Sequence, residues 1–175
     1  MATVYDDNKG NVSFTFSILN QVPKQGLIND GPVGMNSNLG LVRVLFRIAL
    51  DDQPWLDADI MVFVEAISSW ISSAEYLMKQ GKKGDRTGFD HMMCPHLTLN
   101  LYRNEWASHH QESDDSVVED QVYVNYEFFA GLASNYLVPS GGVWEMVPGM
   151  YMELEPVQLA EFLKELRGEL QEATA

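Results

Sequence analysis

The chain has 175 residues, and its 25 Asp and Glu against 11 Lys and Arg give a formal net charge of −14. Its hydrophobic fraction of 46% excludes a disordered acidic tail and predicts one folded domain spanning residues 1–175. The negative charge argues against nucleic acid or anionic membranes as partners, because binding to phosphates relies on Lys and Arg.

The first predicted elements are two strands separated by a long loop. Apolar and small polar side chains alternate over residues 12–18, which predicts a strand with one buried face. Residues 20–40 are rich in Gly, Pro and Asn and are predicted as a loop. A second strand is predicted over Leu41–Leu50.

A helix is predicted next. Apolar side chains recur every three or four residues over 60–78, and Gly81 supplies the stop. Asp57 is in a position to cap the start of this helix. The alternative is a strand over 60–64, which does not explain the continuing helical period.

The second half predicts four strands and a closing helix. The strands are predicted over 97–101, 122–128, 143–147 and 150–154, with an acidic loop at 104–120. The helix begins at Pro156. Strands joined by loops favour antiparallel pairing, so we expect an α+β fold: a single domain with a mainly antiparallel sheet of about six strands and two amphipathic helices packed on one face. No internal repeat is visible.

Acidic residues are concentrated in two stretches, 51–59 and 104–120, and each contains a tryptophan. Concentrated negative charge accelerates association with a basic partner, and aromatic residues bordered by acids are typical of binding hot spots. We expect the two stretches to share one surface; the alternative is that the acidity serves solubility alone. The predicted partner-binding residues are Asp51, Asp52, Trp55, Asp57, Asp59, Glu105, Trp106, Glu112, Asp114, Asp115, Glu119 and Asp120.

One segment carries residues of metal or thiol chemistry. His91, Cys94 and His96 could supply nitrogen and sulfur ligands to zinc, or a Cys94 nucleophile with a histidine base. No second ligand group stands at a defined spacing, so packing at a strand start is favoured and no cofactor is predicted. Cys94 is the only cysteine, which favours a reducing compartment. With no apolar run of the roughly 20 residues that cross a bilayer, we expect a cytoplasmic protein.

Three stretches carry a resemblance to a known family. They are the amphipathic helix with an inner tryptophan at 63–71, the turn and strand at 89–99, and the final strand and helix over 151–154 and 159–166. In layout they resemble small bacterial immunity proteins encoded beside wall-associated polymorphic toxins. The resemblance implies a protein that binds and blocks a toxin, so no catalytic residues are implied.

The expected function is that of a non-catalytic acidic protein that neutralises a basic protein partner, such as a toxin or a nuclease. An immunity protein and a phage-borne inhibitor that mimics nucleic acid both fit this description. The alternatives are a small metal- or thiol-dependent enzyme centred on His91, Cys94 and His96, or a structural subunit whose charge has no steering role.

Overall fold

The computed structural model describes residues 1–7, 11–22, 40–91, 96–108, 121–133 and 149–175. These residues form eight strands and two helices. In chain order they are β1 Thr3–Tyr5, β2 Val12–Gln21, β3 Leu41–Leu50, β4 Gln53–Phe63, α1 Val64–Gln80, β5 Arg86–His91, β6 His96–Ser108, β7 Gln121–Ala133, β8 Gly149–Leu154 and α2 Pro156–Thr174.

The strands form two antiparallel sheets of four strands each, sheet A in the order β1-β2-β3-β4 and sheet B in the order β5-β6-β7-β8. The predicted α+β class with antiparallel pairing and two helices is confirmed, but the strands do not form one sheet of about six. The sheets meet at β1 and β8, where the Asp7 N–H donates to the Glu153 carbonyl at 2.9 Å. Among the described residues, four strands followed by a helix occur twice, an order that the sequence pattern did not reveal.

The predicted start of the first helix is wrong by four residues. β4 extends to Phe63, and its pairing with β3 includes Ile60 opposite Val44. Ile60 is buried while Met61 is exposed, which is the period of a strand. The strand alternative was therefore correct up to Phe63, and Asp57 lies within β4 and caps no helix.

Five of the six predicted strands coincide with observed ones, namely β2, β3, β6, β7 and β8. Residues 104–108 belong to β6 and residues 20–21 to β2, so these two strands extend into the segments predicted as loops. The predicted strand at 143–147 and residues 23–39 and 109–120 lie outside the described residues.

Each helix follows one sheet and packs mainly against the other. α1 follows sheet A and contacts β5 and β6, whereas α2 follows sheet B and contacts β2 and β1. The helices also touch each other, with Arg167 on α2 paired to Glu75 on α1 at 2.9 Å. One hydrophobic cluster therefore includes residues of both sheets and both helices. Among the described residues, neither helix is long and apolar enough to span a membrane.

Phe14 on β2 lies at the centre of this core. Its ring centroid lies 5.3 Å from that of Phe46 in sheet A, 5.1 Å from that of Phe128 in sheet B and 5.9 Å from that of Phe162 on α2. All four rings are buried. Phe14 thus joins both sheets to the closing helix.

Glu169 on α2 provides a polar link to the same strand. Its Oε2 accepts the Ile18 backbone N–H at 2.7 Å and the Ser17 hydroxyl at 3.2 Å. Its Oε1 pairs with the Met1 amino group at 2.6 Å. Leu19 is the extra residue of a β-bulge in the β2–β3 pairing, next to this contact.

Candidate partner-binding surfaces

The inner faces of both sheets pack against the helices, and the outer face of sheet B carries the exposed side chains of Trp106, Tyr123 and Tyr151. Side chains alternate along each strand, so Leu97, Leu99 and Leu101 of β6 point inward and their neighbours point outward. Five aromatic side chains occupy this outer face, which we term the aromatic face: Tyr102, Trp106, Tyr123, Phe129 and Tyr151.

Four of these rings form two cross-strand pairs. Trp106 and Tyr123 are opposite each other on β6 and β7, with ring centroids 6.3 Å apart and planes at 18°. They are 49% and 39% exposed. Phe129 and Tyr151 are opposite each other on β7 and β8 at 4.7 Å, and Tyr151 is 51% exposed. Exposed rings so arranged are a ready surface for contact.

Two carboxylates lie between the aromatic pairs. Glu127 and Glu153 are opposite each other on β7 and β8, and Glu153 accepts a hydrogen bond from the Asn125 amide at 3.3 Å. On this face of the described strands, Arg86 at the β5 edge is the only basic side chain, and it is the cross-strand neighbour of Tyr102. The centre of the face is therefore aromatic and acidic.

The predicted residues of β4 lie elsewhere, on the outer face of sheet A. Asp57 pairs with Arg47 at 2.8 Å, and Asp59 pairs with Arg43. Trp55, the extra residue of a β-bulge, is 47% exposed on the same strand. Both carboxylates thus have a cationic neighbour on β3, which reduces the negative field that this stretch presents to a partner.

Asp51 and Asp52 form the two-residue turn between β3 and β4. Both have positive φ, 48° and 62°, a backbone conformation that favours Gly and Asn. The Asp51 N–H donates to the Asn11 carbonyl at 2.8 Å. A small recess of about 210 Å³ lies beside them, lined by Tyr5, Asn11 and Ser13 as well.

Replacing this turn by Asn-Gly is expected to stabilise the protein. In Asp51→Asn/Asp52→Gly the new side chains tolerate positive φ, and we expect a gain of about 0.5 to 1 kcal/mol in the free energy of unfolding. Urea unfolding measures it. If Asp51 and Asp52 contact the partner, the variant should bind the partner more weakly. If the partner contacts only the aromatic face, the variant should bind it with unchanged affinity.

Glu105 faces the interior, opposite to Trp106, because adjacent strand residues point to opposite faces. It accepts a hydrogen bond from Arg103 Nε at 2.8 Å. Arg103 Nη1 donates to the Met78 carbonyl at 3.0 Å and the Leu77 carbonyl at 3.3 Å, at the end of α1. Arg103 also bonds Tyr126, and burial raises the pKa of the Tyr126 phenol. Glu105 therefore belongs to a network that fixes the C-terminus of α1.

The remaining predicted residues fall partly outside the described chain. Glu112, Asp114, Asp115, Glu119, Asp120 and Cys94 lie outside it. His91 ends β5 and His96 begins β6. Within the described ranges, no three His, Cys, Asp or Glu side chains are grouped so as to hold a metal ion.

The structure does not bring the two described parts of the acidic stretches onto one face. Residues 51–59 belong to sheet A and its turn, Glu105 lies on the inner face of sheet B with its side chain 26% exposed, and Trp106 lies on the outer face. The sequence predicted Trp106 as a partner-binding residue but did not single out Tyr123, its cross-strand neighbour, or Phe129 and Tyr151, which lie further along the same face. Their positions alternate with the buried Tyr126, Phe128 and Met152, and this alternation is the signal in the sequence that could have assigned them to the outer face.

Comparison with known proteins found no matching protein family, no matching curated protein and no matching solved structure. The function of the chain is therefore inferred from its own residues and their surroundings.

Proposed function

We propose that this protein is a non-catalytic binding protein that neutralises a basic protein partner through the aromatic face. The observation that carries the proposal is the exposed Trp106–Tyr123 stack, on the same open sheet face as Glu127 and Glu153. Trp and Tyr dominate binding hot spots because they offer a large contact area at a small entropic cost.

Lysine and arginine are the side chains that this combination recognises best. A guanidinium stacked on an indole or phenol ring gains about 0.5 to 2 kcal/mol, depending on its desolvation. Glu127 and Glu153 can then accept its N–H groups. A partner rich in Arg, such as a toxin or a nuclease, satisfies both requirements.

The net charge adds long-range attraction. At −14, the chain attracts a basic protein before contact, and salt weakens this attraction. Five further carboxylates lie in the sequence between Ser108, where β6 ends, and Gln121, where β7 begins. Ser108 and Gln121 are opposite each other, two positions from the Trp106–Tyr123 pair. The proposal thus joins charge steering to an aromatic anchor.

The two exposed tryptophans provide the test. We expect Trp106→Ala to weaken binding of a fluorescein-labelled peptide of alternating Arg and Ser by about tenfold, since the main stacking surface is lost. Trp55→Ala, with nearly the same exposure but on sheet A, should bind like the unchanged protein. Fluorescence anisotropy at low and at moderate salt measures both.

Several outcomes separate this proposal from its alternatives. A matched peptide of alternating Glu and Ser should not bind. If Trp55→Ala and Trp106→Ala lose affinity equally, or if neither does, the aromatic face is not the binding site. Binding that is the same at both salt concentrations would remove the steering role of the charge.

A further inference from the structure

A second candidate binding surface lies at the β5 edge of sheet B. A groove of about 510 Å³ runs between α1 and β5. The helix contributes mainly hydroxyl groups to its wall, and Tyr76 is 63% exposed there. We term this surface the hydroxyl groove and define it by Ser69, Ser72, Ser73, Tyr76, Arg86 and Thr87.

The strand that borders the hydroxyl groove is an edge strand. β5 has β6 on one side and, within the described chain, no strand on the other. An edge strand presents a row of backbone N–H and C=O groups that an extended peptide can pair with. A groove between such an edge and a helix is suited to strand addition, in which main-chain hydrogen bonds supply affinity and adjacent side chains supply selectivity.

Basic residues are concentrated at the end of α1 and in the turn that leads to β5. Four basic side chains are exposed here, those of Lys79, Lys82, Lys83 and Arg86. None of them forms an ion pair with another described residue. Asp85 is the acid of this turn and also lines the groove, and its carboxylate accepts the Lys82 backbone N–H at 2.8 Å. A chain with a net charge of −14 thus places four basic residues close together in the sequence before and at the start of one edge strand.

We propose that the hydroxyl groove binds an extended acidic segment of another polypeptide, which adds to β5 as a fifth strand of sheet B. The lysines attract carboxylates of the segment, and the hydroxyl groups of α1 bond to its polar side chains. Apart from Arg86, which borders both surfaces at the β5 edge, this surface shares no residue with the aromatic face, which takes basic side chains. The protein therefore offers two surfaces that select partners of opposite charge.

A charge reversal and a steric block test the proposal. The probe is a fluorescein-labelled ten-residue peptide in which Val and Thr alternate with Glu. We expect Lys82→Glu to weaken its binding by about fivefold, from the loss and reversal of one nearby charge. Lys164→Glu makes the same change on the exposed side of α2 and should leave binding within about twofold. Ser72→Trp fills the groove from an exposed helix position and should abolish binding without lowering the melting temperature.

The outcomes distinguish this proposal from that for the aromatic face. Trp106→Ala should bind the acidic peptide normally, whatever its effect on the arginine peptide. Failure of the acidic peptide to bind, equal binding of a peptide with Lys in place of Glu, or full affinity in Ser72→Trp would each overturn the proposal. So would a dimer that Ser72→Trp dissociates, since the groove would then belong to a second copy of the chain.

Discussion

Phe14→Ala is expected to lower the free energy of unfolding by about 3 to 5 kcal/mol, the range for removing a fully buried aromatic ring. The Phe14 ring packs on Phe46, Phe128 and Phe162, so its removal opens a cavity between both sheets and α2. Because the core is continuous, the loss should appear in one cooperative transition. Urea unfolding followed by circular dichroism and by tryptophan fluorescence measures both features.

Two further variants calibrate this result. Phe14→Leu keeps most of the apolar volume and should cost less than Phe14→Ala. Tyr76→Ala removes an aromatic ring that is 63% exposed and should cost about 0.5 kcal/mol or less. Transitions that separate between the two probes would show that the sheets unfold independently, contrary to the packing of each helix on the opposite sheet.

Arg103→Met is expected to lower the free energy of unfolding by about 2 to 4 kcal/mol, because it removes one partner of a largely buried ion pair. Glu105 would be left without its cation, and the Met78 carbonyl near the end of α1 would lose the hydrogen bond from Arg103. The side chains of Arg103 and Glu105 are only 15% and 26% exposed, so water replaces the lost bonds poorly. Thermal and urea unfolding measure the effect.

The matched control is the exposed pair on sheet A. Arg47→Met breaks the ion pair between Arg47 and Asp57, whose side chains are 41% and 38% exposed respectively. It should lower the free energy of unfolding by about 1 kcal/mol or less. Arg103→Met/Glu105→Leu should recover part of the stability, since no unpaired charge stays buried. Glu105→Gln should leave binding of the arginine peptide unchanged. A loss of affinity without a loss of stability would instead assign Glu105 to the binding surface.

Local patterns predicted those elements whose signal lies within a few consecutive residues. The alternation over 12–18 identified β2, and Pro156 marked the start of α2, where the Glu155 N–H donates to Gln158 Oε1 at 2.9 Å. The end of β4 was predicted wrongly because Ile60, Phe63 and Val64 fit the spacing of a helix as well as they fit a strand. Its pairing with β3 decided between the two, and that pairing joins residues 3 to 22 positions apart.

The candidate site shows the same division. Trp106 was predicted from its acidic neighbours in sequence, but Tyr123, with which it stacks, is 17 residues away and was found only through the register of β6 and β7. The predicted Asp57 and Asp59 carry charge in the sequence, yet their pairing with Arg47 and Arg43 depends on the register of β3 and β4. The charge of a side chain can be read from the sequence, whereas the ion pair that neutralises it depends on how two strands are paired.

Composition and short-range periodicity were sufficient to establish an acidic α+β chain with antiparallel strands and a closing helix. Each strand or helix buries one side, so its apolar residues recur with a fixed period that is visible within a short stretch of sequence. The division into two sheets, the packing of each helix on the opposite sheet, and the gathering of aromatic side chains on one open face were decided by contacts between residues distant in the chain. Many pairings satisfy the same local alternation, and only the joint burial of both inner faces around Phe14 selects among them.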